Sequence, residues 1–206
     1  MALKPEDMDF ISNFNTLWAV FLGALLATAG GFVATQLEWI LERRRRERNA
    51  ALFFGEVLST LNILIGLAAN TKKVGDPFGP ITLRMLRSSL GEIEIYNRNR
   101  ESLYDLRQAE LRARVHTLIL RLAMPIDGVF DSTSTIAGVQ SQLKAPGLSD
   151  SDKTELDTRL AMLKQNREDA FEFILENCEQ LKLIVKDLEP VARFSFGHMD
   201  RVVRNA

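Results

Sequence analysis

The side chains best suited to chemistry are two histidines, His116 and His198, and one cysteine, Cys178. A zinc site needs three or four nitrogen or sulfur ligands at short, regular spacings, and neither histidine has another His or Cys at such a distance. Ser195 and His198 stand three apart, but without a strand–turn–helix setting or an oxyanion donor the pair has no reaction to perform. Cys178 falls on an apolar helical face, where a thiol stays protonated and inert. Gly75 and Gly79 lack the following lysine and preceding strand that a phosphate-cradling loop requires. The acidic pairs Glu92/Glu94 and Glu155/Asp157 are two apart and diverge on a helix. Glu101, Asp105 and Glu110 do not complete a Glu-x-x-His set with His116. The expectation is a chain with no catalytic, cofactor-binding or metal-binding residues, not an enzyme, and with no small-molecule substrate evident.

Arg107, Arg114 and Arg121, seven apart, are the remaining candidates. Guanidinium groups so spaced can grip phosphate or an acidic partner surface. The same spacing also serves a solvated face with acidic pairing along the helix.

The elements that must position these residues are helical. Aliphatic residues, Arg and Glu are abundant, and turn residues are thinly spread, which favours an all-α fold. A length of 206 residues suits one compact domain plus an anchor. The net charge of −1 offers no global basic field, so nucleic acid is not an expected partner. A single thiol forms no internal disulfide, which is compatible with a reducing compartment.

Between Asp9 and Glu38 no ionisable side chain occurs. Its most apolar part, residues 17–37 (LWAVFLGALLATAGGFVATQL), has the length of about 20 residues that a helix needs to cross hydrocarbon. Trp18 and Trp39 bracket it, roughly 30 Å apart along a helix axis, the spacing of an interfacial aromatic pair. Arg43, Arg44, Arg45, Arg46 and Arg48 follow, whereas Lys4 alone precedes. Cationic side chains resist translocation, so the N-terminus is expected outside and the arginine side in the cytoplasm, as for a bacterial-type inner membrane. The arginines also suit contact with anionic membrane lipid, worth about 1 kcal/mol each, which Glu42 and Glu47 dilute.

A cleaved signal peptide competes with this reading, because Ala27-Thr28-Ala29 before Gly30 has the small-x-small pattern of a cleavage site. Against it stand the acidic leader (Glu6, Asp7, Asp9) and the apolar run continuing through Phe32, Val33 and Leu37. Within the span Gly23, Ala27, Gly31 and Thr35 recur every four residues, a small-residue ridge where a second helix can approach closely.

No Gly or Pro interrupts residues 38–54, so the membrane helix is expected to run on to about Asn70. A helical wheel puts Phe53, Phe54, Val57, Leu61, Leu64, Ile65 and Ala68 on one face, with Gly55, Ser59, Asn62, Gly66 and Asn70 opposite. A second membrane span is the competing reading here; burying Glu56 and Asn62 in lipid opposes it.

Residues 71–80 read as a loop, 81–90 as a short helix broken at Gly91, and 92–96 as helical or irregular. From Arg100 to Met124 two apolar stripes appear, Tyr104/Leu111/Val115/Leu118/Leu122 and Leu106/Ala113/Leu120/Met124, until Pro125 kinks or ends the helix. Helical pattern resumes to Leu143. After a loop at Pro146-Gly147, heptad spacing over residues 151–188 predicts long packing against a near-parallel neighbour, with Pro190 as the stop. The tail, with Phe194, Phe196, Met199, Val202 and Val203 beside Arg193, Arg201 and Arg204, is expected to dock on the other helices, with contact to the membrane surface as the alternative.

The domain reading is a short outer segment (1–14), a transmembrane helix (15–38), a juxtamembrane helix (39–70) and a cytoplasmic helical bundle of long antiparallel helices (71–206, packing with 50–70). The expected function is that of a membrane-anchored scaffold, adaptor or accessory subunit acting by protein–protein contacts, as a homo-oligomer or with another membrane-complex subunit. A single-pass signal transducer is the alternative; an outer segment of about 15 residues is too short to fold a sensor.

Overall fold

The structure, a computed structural model, describes residues 5–75 and 77–197, with side-chain surroundings from Trp18 onward except Ala19. Lys4, Asp76, His198, Met199, Val202 and Val203 lie outside the described residues, and so does half of the Ser195/His198 pair. The chain is all-helical, with 90% helix and no strand among the described residues. The described residues form four helices in succession: α1 (Pro5–Val74), α2 (Pro80–Arg98), α3 (Ala109–Leu143) and α4 (Asp150–Ala192), with a 3-10 turn at Arg100–Asp105 between α2 and α3. Two compact units divide at residue 46/47, Met1–Arg46 and Glu47–Ala206.

In the second unit, apolar residues at helical spacing from all four helices share one core. Ala51, Phe54, Leu58, Leu61 and Ile65 enter from α1, Leu86, Ile93 and Tyr96 from α2, Leu111 to Val129 on one side of α3, and Phe171 to Leu188 on one side of α4. The stripe is what selects helix here, since each turn adds another buried side chain worth about 1.5–3 kcal/mol. Neighbouring helices run in opposite chain directions. Phe54 meets Tyr96 (ring centroids 5.8 Å) and Thr71 meets Thr82 (3.1 Å) between α1 and α2. Tyr96 meets His116 (3.0 Å), and Arg87 lies over Phe130, between α2 and α3. Arg114 meets Asp187 (2.7 Å), and Arg167 meets Thr133 (3.4 Å), between α3 and α4. Arg48 bonds the Ala192 carbonyl (3.1 Å), and Cys178 bonds Asn62 (3.3 Å), between α4 and α1.

Several boundaries differ from the sequence reading. α1 runs through Thr71, Lys72 and Lys73, shortening the loop. α2 passes unbroken through Gly91, because Leu86, Ser89, Ile93 and Tyr96 hold both sides in the core, outweighing a glycine penalty of about 1 kcal/mol. Residues 100–108 do not open a long helix: Leu103 and Leu106 are buried in and after the 3-10 turn, and α3 begins only at Ala109. Pro125 lies inside α3. The carbonyl it deprives of a partner is that of exposed Arg121, within reach of water, while Leu122, Ile126 and Val129 keep the helix in register. Pro190 is likewise inside α4, whose end is set by Arg193 in the left-handed region (φ 52°), with the Phe194 N–H donating to the Glu189 carbonyl.

The buried surface of α1 is broader than the single face expected from spacing: Leu58, which lies off that face, is fully buried, and Gly55 and Ser59, placed on the polar face from the sequence, point into the packed interior. Tyr104, Ala113, Leu120 and Met124 are exposed, so of the second α3 stripe only Leu106 is buried.

Beyond Thr133 and Arg167, α3 and α4 continue as a pair: Ile136 and Val139 are buried, with Leu143, Leu156, Leu160 and Leu163 half-buried. The pair is closed by Gly147 in a left-handed turn (φ 90°) and by Ser149, whose hydroxyl oxygen accepts the Asp152 N–H at the start of α4.

Candidate functional site

In the first unit, Val20, Phe21, Leu22, Leu25, Leu26, Phe32, Val33, Leu37, Ile40 and Leu41 are all exposed, together with Trp18 and Trp39. A helix apolar on every side belongs in a large core or in a membrane. Removing a dozen such side chains from water is worth on the order of 20–30 kcal/mol. That is far more than a folded domain's entire stability, so this surface demands a cover. Trp18 packs edge-on against Phe21, and the Arg43 guanidinium lies 5.3 Å from the Trp39 ring centroid.

Gly23, Ala27, Gly31 and Thr35 lie on α1 and are exposed. A Cβ added at Gly23 or Gly31 would meet nothing within 4 Å. The Thr35 hydroxyl donates to the Gly31 carbonyl (3.0 Å), which satisfies it within its own helix and leaves the ridge with no stranded donor.

The five arginines that follow the apolar run, Arg43 to Arg46 and Arg48, do not form one set. Arg43, Arg44, Arg45 and Arg46 are exposed, Arg46 pairing with Glu42 at 3.2 Å. Arg48 instead donates to the Ala192 carbonyl and belongs to the helical domain. Arg107, Arg114 and Arg121 are not brought together either. Arg107 precedes α3 and bonds Glu47 through its guanidinium (3.4 Å) and its backbone N–H (3.2 Å). Arg114 pairs with Asp187, and Arg121 is exposed one turn before Pro125. The spacing of seven held for α3 alone; the break at Gln108 removes Arg107 from the row.

Sequence reasoning missed the way the C-terminal segment closes over α1. The Phe196 ring lies on Gly55, so close that a Cβ at residue 55 would stand 2.0 Å from a ring carbon. The Glu189 carboxylate accepts the Phe196 N–H (2.8 Å) and the Ser195 hydroxyl (2.9 Å), fixing the turn that delivers the ring. Gly55 and Ser59, four apart on α1, were the available signal of a close approach. Beyond Phe196 a groove of about 310 Å³ continues between α1 and α4, lined by Ser59, Asn62, Lys182, Val185, Lys186 and Glu189.

Lys72 and Glu168 form an ion pair at the other end of α1, with the Lys72 ammonium 4.6 Å from the Phe171 ring centroid and Arg167 stacked 4.0 Å above Phe78. No group of three or more His, Cys, Asp or Glu converges among the described residues.

Burial raises the pKa of Cys178, whose thiol bonds Asn62, and that of the Tyr96 phenol, which bonds the His116 Nδ1. An acid whose pKa is raised by folding favours the native state below its unfolded value and loses that contribution as pH rises through the folded value. The expected result is a domain whose melting temperature falls above about pH 8.5 and more steeply above about pH 10. Replacing Cys178 with alanine flattens the first part of that fall. An unchanged pH profile would remove the thiol from the account.

No protein family, curated protein or solved structure matches the chain.

Proposed function

We propose that the chain is a membrane-anchored helical scaffold, adaptor or accessory subunit of a membrane complex, acting by protein–protein contacts. The observation that carries this is the exposed apolar run from Trp18 to Leu41, followed at once by four exposed arginines. A single transmembrane helix accounts for that run. α1 is the helix of the described chain long and apolar enough for the role. Its second apolar stretch, 50–69, has a different explanation, since Phe54, Leu58, Leu61 and Ile65 are spent in the core.

In this reading the N-terminus lies outside, and residues from about Arg43 onward lie in the cytoplasm of a bacterial-type inner membrane. The four helices form an antiparallel bundle there. The ridge Gly23/Ala27/Gly31/Thr35 serves a second copy or another subunit's helix, and exposed bundle faces engage partners.

Purification in mild detergent with mass measurement tests the reading. A scaffold or subunit emerges as a defined oligomer or with a stoichiometric partner; a monodisperse monomer with none contradicts it. Replacing Gly23 and Gly31 together with isoleucine is expected to reduce intramembrane crosslinking several-fold, because branched side chains hold the backbones apart. An unchanged yield would remove the ridge from the interface.

A further inference from the structure

We infer that the end of the helical domain carrying the 3-10 turn and the C-terminal strap rests on the lipid headgroup region through Tyr104 and Phe194. The inference builds on the membrane reading above and adds a second, domain-borne contact with the bilayer.

Tyr104 is 76% exposed although its neighbours Leu103 and Leu106 are buried, so the turn is anchored in the core while its one aromatic ring points to solvent. Phe194 is 46% exposed, its ring set edge-on against buried Phe196 (5.3 Å). These two segments belong to one end of the domain because consecutive residues of α1 hold them. Glu47 binds Arg107, just after the turn, and Arg48 binds the Ala192 carbonyl, just before the strap. Elsewhere in the domain, among the described residues, the one large exposed aromatic is Phe173.

Chain length identifies the occupant. Leu41 ends the exposed apolar run, and Glu47 begins the domain. The intervening chain spans at most about 20 Å even when fully extended. This end of the domain therefore cannot leave the neighbourhood of the bilayer surface, where the headgroup layer itself occupies several ångströms beyond the hydrocarbon. Tyrosine and phenylalanine at that depth are favoured, the phenol staying hydrated while the ring is covered.

Charge contributes little. Arg98 pairs with Glu94 and Arg107 with Glu47, and exposed Arg100 and Arg193 are offset by Glu101 and Asp105. The contact is thus aromatic and insensitive to salt, unlike that of Arg43 to Arg46.

The full-length chain with Cys178→Ser, carrying single cysteines at Tyr104, Phe194 or Met162, is labelled with a small fluorophore. It is then reconstituted into phosphatidylcholine–phosphatidylglycerol vesicles containing a headgroup nitroxide lipid. All three positions are exposed, so labelling leaves the core intact. Quenching several-fold stronger at positions 104 and 194 than at 162, and unchanged by high salt, is the expected result. Equal quenching at all three, in protein that floats with the vesicles, overturns the lipid contact and leaves the anchor standing. Protein that fails to float overturns both.

Discussion

Truncating Phe54 to alanine is expected to lower the stability of the helical domain by about 3–5 kcal/mol, the range for a large ring removed from a packed core. Phe54 has no exposed surface and packs edge-on against Tyr96 and Phe53. Thus the loss comprises both the transfer of the ring and the cavity beside α2. Denaturant unfolding followed by circular dichroism reads the change, and recovery in the membrane fraction should not move. The experiment separates two fates for the apolar stretch 50–69. Were that stretch a second span, Phe54 would face lipid or another membrane helix, and unfolding of the water-exposed helices would be indifferent to it. A loss below about 1 kcal/mol would reject the core placement.

Leucine at position 55 is expected to destabilise the domain by at least about 2 kcal/mol, since overpacking against an immobile ring forces either α1 or the strap to move. The Phe196 ring fills the space a side chain needs, and the Glu189 carboxylate fixes the turn behind it. A cycle with Phe196→Ala gives the sharper form of the test. Alanine at residue 55 alone should destabilise, because its Cβ would stand 2.0 Å from the ring. With Phe196 already truncated, the same alanine should be neutral or stabilising by up to about 1 kcal/mol, the helix-propensity gain over glycine. Additive effects in the two backgrounds would show that Phe196 does not occupy this slot.

Helix was legible in the sequence wherever burial and periodicity agreed. The stripe Leu111/Val115/Leu118/Leu122 and the α4 heptad positions Ile174, Leu181, Ile184 and Leu188 are read directly from spacing, and the core uses them. Ser149 announced the start of α4 for a local reason, its hydroxyl accepting from Asp152. The errors fall where tertiary burial overrides a local penalty. Gly91, Pro125 and Pro190 all sit inside helices whose flanking residues are held in the core. Conversely, Tyr104 fits the apolar stripe by count but not in space, because the chain turns at Gln108.

The candidate surfaces divide in the same way. The exposed run from Trp18 to Leu41, the ridge at Gly23 and Gly31, and the exposed arginines 43 to 46 are properties of one helix, so spacing alone exposes them. Arg48 and Arg107 were misgrouped because their partners, Ala192 and Glu47, are distant in sequence. Contacts between residues 55 and 196 leave no periodic trace, and small residues four apart only hint at them.

Alkaline carbonate extraction of the full-length chain, combined with protease treatment of sealed membrane vesicles, bears most directly on the anchor. A spanning helix keeps the chain in the pellet, and protease on the cytoplasmic face is expected to remove the domain from about residue 47 onward. Release of the intact chain into the supernatant would contradict the spanning helix. Digestion of the domain only from the opposite face would contradict its orientation.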